Sequence, residues 1–227
     1  MILRILTWNI HAGIGADGHY DLERILAVLR RQDCDIVALQ EIEGRGHAGA
    51  PFRMLREALG GSAAEAATIL GADGHYGHMV ISRWPLARVA QADISVPHRE
   101  RRCAISADVQ IEGHRLHLIA CHLGLRTWER AQQAARLTAM VRLAQGPLVM
   151  LGDFNEWQPR GPVTRALAAA LPGRTRLRSF PARRPLLALD RVYCRPAAML
   201  GRSWTDPSAS EASDHLPLMA ELFVPTL

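Results

Sequence analysis

The 227-residue sequence contains no lysine, and all 27 of its basic residues are arginine. That absence excludes Schiff-base chemistry, a Walker-type phosphate lysine and a Ser–Lys dyad. An all-arginine basic set is also what a GC-rich genome produces. No apolar run approaches the roughly 18 residues a membrane-spanning helix needs; the best, such as Pro147 to Leu151, are strand-sized. Aromatic residues are scarce, at 5%. They form no stripe interleaved with basic residues, so Trp8, Trp84, Trp128, Trp157 and Trp204 are expected to pack in the core or at a rim, with base stacking as the alternative. The four cysteines (Cys34, Cys103, Cys121 and Cys194) form no C-x-x-C pair and sit in apolar contexts, which predicts buried reduced thiols rather than disulfides or zinc. Met1 to Leu6 is too short for a signal peptide and runs straight into polar residues at Asn9, so the expectation is a cytoplasmic protein, read as a monomer.

What is present is charge, unevenly placed. The net charge is +5, yet residues 160–202 alone carry ten arginines (Arg160, Arg165, Arg174, Arg176, Arg178, Arg183, Arg184, Arg191, Arg195 and Arg202) against one acid, Asp190, a local net of +9. Such a segment attracts phosphates on nucleic acid, lipid or small molecules, or is a solvated basic face. Short apolar runs at 2–7, 34–39, 78–82, 87–96, 103–111, 115–121, 147–151, 187–194 and 217–224 read as strands. Helical periodicity marks 21–31, capped by Asp21, then 127–143 with Ala131, Ala135, Thr138 and Val141 inward, and 162–171. Consecutive strands at 87–121 favour hairpins, with a turn at Glu112-Gly113. The whole predicts one α/β domain over residues 1–227, its sheets covered by helices. The hexapeptide G-A-D-G-H-Y recurs at 15–20 and 71–76 with divergent flanks, and reads as two Asp-Gly turns rather than a repeat.

Polar residues follow the apolar strands closely. Asn9 ends the first, Glu41 follows the second, and His122 lies in C-H-L-G after strand 115–121; Asp153 and Asn155 lie in G-D-F-N, Asp190 precedes R-V-Y, and Asp214 and His215 lie in S-D-H-L-P. Functional groups gather at strand ends because the scaffold is rigid there and the loops are open. Glu41, Asp153 and Asp214 are hard oxygen donors and Asn9 adds an amide carbonyl, a set that suits Mg²⁺ or Mn²⁺ better than zinc. Asp153 and Asn155, two apart in an extended segment, face one side, where one can deprotonate water and the other donate to a phosphoryl oxygen. A histidine held protonated by a carboxylate such as Asp190 stabilises developing negative charge. These are the parts for in-line attack of water on a phosphate ester.

T-W-N-I, L-Q-E-I, H-M-V-I-S-R-W-P-L, C-H-L, L-G-D-F-N, L-D-R-V-Y and S-D-H-L-P, in this order from about residue 3 to 224, resemble the endonuclease/exonuclease/phosphatase superfamily in its small bacterial branch. The resemblance implies the deoxyribonuclease I-like fold, a four-layer α/β/β/α sandwich with its site at one edge of the paired sheets. It implies that Asn9 and Glu41 hold the metal with Asp214 close by, and that Asp153 activates water. Asn155 would bind the phosphate, His215 paired with Asp190 would act at the phosphoryl centre, and His122 would contact a phosphate oxygen. Arg130 matches an arginine common in this branch and, at a helix start, would suit a phosphate; Arg101 and Arg102 carry a weaker version of that case. His122 stands where abasic-site endonucleases have tyrosine, the first turn reads H-A-G-I-G, and His78 replaces an asparagine of many relatives. These departures point away from abasic-site repair, and the G-I-G…D-L-E-R-I opening with S-R-W-P-L resembles sphingomyelinase-like and general phosphodiesterase members.

The expectation is therefore a divalent-metal-dependent phosphodiesterase acting on nucleic acid, with a phospholipid or small phosphodiester as the alternative substrate. No exposed apolar insertion supports bilayer docking. A catalytically silent binding module would be expected to lack one of Glu41, Asp153, Asn155, Asp214 or His215, and none is missing.

Overall fold

The computed structural model describes residues 1–111 and 113–226. Two six-stranded sheets lie face to face, and the strand alternation explains why. In β1 (Ile2–Asn9), Leu3 and Ile5 point into the core between the sheets while Leu6 and Trp8 point out to a helical layer. In β8 (Leu148–Asp153), Val149 and Leu151 point in, and Leu148 and Met150 point out. Strands with two apolar faces must be covered on both, and four layers result.

The first sheet also contains β2 (Ile36–Glu43), β3 (Ser62–Leu70), β4 (His75–Ser82), β11 (Leu200–Thr205) and β12 (Leu218–Phe223), in the order β11-β12-β1-β2-β4-β3. Helices α1 (Leu22–Gln32) and α2 (Ala50–Leu59) pack outside it. The second sheet adds β5 (Leu86–Asp93), β6 (Cys103–Ile111), β7 (His114–His122), β9 (Gly173–Arg174) and β10 (Asp190–Arg195) to β8, in the order β5-β6-β7-β8-β10-β9. Outside it lie α3 (Thr127–Leu143) and α4 (Pro162–Leu167). The four-layer sandwich expected from the sequence is the fold observed.

Asp21 caps α1 as expected, its carboxylate accepting the backbone N–H groups of Glu23 and Arg24. The two G-A-D-G-H-Y copies form unrelated turns: one closes a loop bridged between Ile14 and Tyr20, and the other is the β3–β4 hairpin. All four cysteines are free thiols, and burial pushes Cys34 up to about 12. The Glu112-Gly113 turn cannot be compared with its expectation, because Glu112 lies outside the described residues. No helix among the described residues is long and apolar enough to cross a membrane.

Other readings need correction. Helix α2 and strands β3 and β11 were not expected; the alanines of S-A-A-E-A-A-T-I-L disfavour a strand on propensity, yet Ala64 and Ala66 point into the core between the sheets. The third helix stops at Leu167. In α3, Ala131 and Ala135 are exposed, and the inward face is Glu129, Arg130, Gln133, Ala134, Leu137, Thr138 and Val141. Polar residues take that face because they bind the loop after β7, as described below.

Candidate active site

Two parallel pairs, β1 with β2 and β7 with β8, bring four strand ends to one edge of the sandwich. Asn9 pairs with Gln40, and His122 pairs with Asp153. The last pairing depends on Gly152: a Cβ there would lie 1.9 Å from the Cys121 carbonyl oxygen. Only glycine lets β8 approach β7 this closely just before Asp153. Strand β10, antiparallel to β8, places Asp190 opposite Asp153.

Glu41 reaches the same edge by a different device. The β2–β4 register shifts between Leu39 and Ile42, and Glu41 adopts a left-handed backbone with φ 58°. A bulge of this kind re-aims a side chain. Asn155, at φ 49°, is the second site residue in that sparsely populated region.

The contacts are direct. Asn9 Nδ2 donates to Glu41 Oε1 at 2.8 Å and to Asp153 Oδ2 at 3.1 Å. The amide oxygen of Asn9 accepts the His11 N–H at 3.0 Å. Asn9 therefore spaces two carboxylates and, in this arrangement, offers its nitrogen rather than its carbonyl to the cleft. Asp153 Oδ1 accepts the Asn155 N–H at 2.8 Å, and Asn155 Nδ2 gives one hydrogen to Leu123 O at 2.9 Å, leaving its second N–H. His122 Nε2 lies 3.6 Å from Asp153 Oδ2 and 3.7 Å from Glu41 Oε1.

His215 Nδ1 donates to Asp190 Oδ2 at 2.7 Å, and its Nε2 stands 3.9 Å from Asp153 Oδ2. The Trp8 indole N–H holds the His215 carbonyl at 2.8 Å, and the Phe180 ring packs against the imidazole with centroids 4.9 Å apart. Asp214 sits at the rim. Its carboxylate is 3.9 Å from His11 Nδ1 and 3.5 Å from Ser213 Oγ, which also bonds Asn9 O.

Burial and charge divide the two histidines. Burial alone would lower the pKa of His215, but the carboxylates of Asp190 and Asp153 outweigh it and hold the imidazole at about 10. His122 goes the other way: burial, then Arg102, then His78 and His215, push it well below the ordinary value. Arg102 stands 3.4 Å from His122 Nδ1. A guanidinium can only donate, so the neutral ring carries its proton on Nε2, facing the carboxylates. His78 is itself buried, and burial and Arg102 push it down to about 4, so it is neutral. The Asp153 carboxyl is raised, first by burial and then by Asp190, with His215 opposing.

Arg130 is not in this cleft. Its guanidinium is buried, donating to Leu125 O at 2.7 Å and lying 3.5 Å from Glu156 Oε1. Gln133 Oε1 accepts the Gly124 N–H. The polar inward face of α3 thus shapes the loop following His122; both terminal nitrogens of its arginine are engaged there, and the one unpartnered nitrogen, Nε, is buried. Arg102, His11, Ser213 and Phe180 also touch site residues; His11 and Ser213 open the H-A-G-I-G and S-D-H-L-P motifs, and nothing in the local sequence marks Phe180.

The donor set can be tested against a divalent cation. Among the described residues the tightest group of potential ligands is Asp153, Asp190 and His215. The protonated His215 would repel a cation, and its Nδ1 is already taken. One oxygen of that group, Asp190 Oδ1, is buried without a hydrogen-bond partner. The side chains of Glu41 and Asp214 are 24% and 41% exposed, so both carboxylates are reachable from solvent. Open carboxylates beside an amide, with no cysteine, fit a hard cation.

Paired mixed sheets flanked by helices, with an acid–amide–imidazole cluster at one edge, define the deoxyribonuclease I-like sandwich. Residues 6–215 match the Endonuclease/Exonuclease/phosphatase family, and the chain belongs to it. That family comprises nucleases, phosphodiesterases and phosphatases, typically hydrolases of phosphoesters and usually dependent on a divalent metal. The chain is similar to the uncharacterized protein YbhP of Escherichia coli K12, with 31% identity covering 96% of this chain and 95% of that one. In fold it is similar to the endonuclease/exonuclease/phosphatase of Bacteroides vulgatus, at TM-score 0.80 and 16% identity over 99% of this chain and 100% of that one. It is also similar to D. rerio TDP2 in complex with a single-strand DNA product, at TM-score 0.69 and 18% identity over 98% and 99%.

Proposed function

We propose that the protein is a phosphodiesterase dependent on Mg²⁺ or Mn²⁺ that hydrolyses nucleic acid. The observation that carries this reading is the buried line Asp190–His215–Asp153, an imidazolium fixed by one carboxylate and facing a second at 3.9 Å. Asp153 accepts the proton of the attacking water, as Asn9 and the Asn155 N–H hold its two oxygens apart. The new P–O bond forms to that water oxygen, and the ester P–O bond opposite it breaks, its oxygen departing as an oxyanion that takes up a proton from solvent. The His215 imidazolium meets charge developing on the phosphoryl oxygens, and Asp190 keeps it protonated and oriented. His122 Nε2–H and the free Asn155 N–H are donors for the non-bridging oxygens. Glu41 and Asp214, with Asn9 spacing Glu41, would hold the metal, which when bound neutralises phosphate charge.

Nucleic acid is favoured by the net charge of +5 and by the fold shared with a TDP2 that holds a single-strand DNA product. A second reading, a phospholipid diester, rests on Leu125 and Trp128, which are 68% and 51% exposed in and after the loop following His122. One assay tests both: purified protein with oligonucleotides, sphingomyelin, phosphatidyl lipids and aryl phosphodiesters, each with Mg²⁺, with Mn²⁺ and with chelator. Metal-dependent release of nucleotides is expected. Turnover of lipid alone would transfer the reading to the second substrate.

A further inference from the structure

The ten arginines of residues 160–202 do not form one surface. Arg191 is buried on Glu156 O, Thr164 Oγ1 and the Tyr193 hydroxyl. Arg195 binds carbonyls at the end of α3, Arg183 pairs with Glu211, and Arg202 lies over the Trp204 ring. The side chains of Arg160, Arg165, Arg184, Arg174, Arg176 and Arg178 have no hydrogen bond or ion pair among the described residues, and of these only Arg174, Arg176 and Arg178 line one groove. Their placement follows from the edge of the second sheet. Gly173 and Arg174 pair with Cys194 and Tyr193, the Thr175 N–H donates to Val192 O at 3.0 Å, and Ser179 Oγ accepts the Asp190 N–H at 3.3 Å. Residues 173–179 therefore run beside β10 up to Asp190, the partner of His215. Gly173, Thr175 and Ser179 are buried and Leu177 packs on the inter-sheet core, so alternation turns the three arginines to the other side. They recur about every 6.6 Å along the segment, comparable with successive phosphates of a stretched strand.

These arginines line a groove of about 300 Å³ whose other wall includes Trp157, Pro159 and Leu186, and no carboxylate lines it. Trp157 is 53% exposed and lies two residues after Asn155. We infer that this groove is a track for one single strand of nucleic acid leading to the phosphoryl centre, with phosphates on Arg174, Arg176 and Arg178 and a base stacked on Trp157. Charge complementarity selects the occupant. Three unpaired cations in a row spanning about 13 Å exceed what a single headgroup or free phosphate occupies, and stacking on an indole needs a base face that a duplex keeps covered. The inference rests on the phosphodiesterase reading above and names the form of its substrate.

The test is fluorescence anisotropy of a labelled oligothymidylate, in chelator so that nothing is cleaved, across a series of salt concentrations. Replacing all three arginines by glutamine is expected to flatten the slope of log affinity against log salt by about 2, since each phosphate contact on a single strand contributes about 0.7. Each single Arg→Gln change, which guards against misfolding of the triple variant, should remove about 0.7. Trp157→Ala should weaken binding about 5-fold or more, and Arg142→Gln, on the exposed face of α3, should leave the slope alone. A triple variant that folds and keeps the wild-type slope, or wild-type protein that binds duplex as tightly as single strand, overturns the inference. Metal-dependent hydrolysis of an aryl phosphodiester by the wild type, measured in parallel, separates the two readings. Hydrolysis with an unchanged slope defeats the track alone, and a flattened slope without hydrolysis under either metal defeats the phosphodiesterase reading alone.

Discussion

His215 donates through Nδ1 to Asp190 at 2.7 Å and turns Nε2 towards Asp153, 3.9 Å away, so one imidazole is shared between two buried carboxylates. The first carboxylate fixes its charge and orientation, and the second is the proposed base.

His215→Ala should lower kcat by roughly 10²- to 10³-fold, the range found for single transition-state donors. Asp190→Asn keeps a hydrogen-bonding side chain but removes the charge, and should cost less. Steady-state kinetics on an aryl phosphodiester, with circular dichroism to confirm folding, measures both. A loss from His215→Ala that lies entirely in KM would contradict the role assigned to it.

The pH–rate profile should be bell-shaped. Activity needs Asp153 ionised, which its raised pKa confines to the alkaline side of an acid limb, and His215 protonated, which fails as pH rises through about 10. In Asp190→Asn the alkaline limb should move to lower pH, because the carboxylate that holds the imidazolium is gone. The sign for stability is the same. The raised His215 pKa contributes fully below its unfolded value, about 6.5, and the contribution is lost as pH climbs through the folded one. Denaturant titrations of wild type and Asp190→Asn should therefore differ most below neutral pH and converge in alkali.

How far the site is legible in the sequence depends on how each residue is carried. Asn9, His122, Asp153, Asp190 and His215 stand at strand ends or directly before a strand, where an apolar run announces its own boundary, and the structure brings them together. Glu41 is found by the same rule, but the bulge that aims it has no sequence signature in Q-E-I-E. Arg130 misleads because a buried guanidinium on carbonyls and a phosphate-binding guanidinium look alike in one dimension. Strand β3 is hidden by its alanines, whose small size matters only once a facing sheet is present. Arg174, Arg176 and Arg178 are visible as charge, but their grouping appears only when Arg183, Arg191, Arg195 and Arg202 are seen to be paired, buried or stacked and the three are seen to line one groove.

Arg130→Ala should act on stability rather than on substrate affinity. Arg130 and Glu156 are both buried, 3.5 Å apart, and removing one member of such a pair typically costs about 3–5 kcal/mol. Urea unfolding monitors that loss, and the variant's KM for a small phosphodiester should stay near that of wild type. A normal stability with a raised KM would restore the phosphate role.

Glu41→Gln should weaken divalent-ion binding more than any other single change, because Glu41 is an open carboxylate held in place by Asn9. Calorimetric titration with Mn²⁺ reads this without turnover. Asn9→Ala should weaken binding less while still lowering kcat, since it frees Asp153 as well as Glu41. Equal Mn²⁺ affinity in wild type and Glu41→Gln would remove Glu41 from the metal site.

The most direct test of the whole account is hydrolysis of an oligonucleotide and an aryl phosphodiester by wild type and Asp153→Asn, each with Mn²⁺ and with excess chelator. Hydrolysis by the wild type only when metal is present, and near-background rates from Asp153→Asn in the same buffer, is the predicted result. Full wild-type activity in chelator, or an Asp153→Asn protein as fast as wild type, would contradict it.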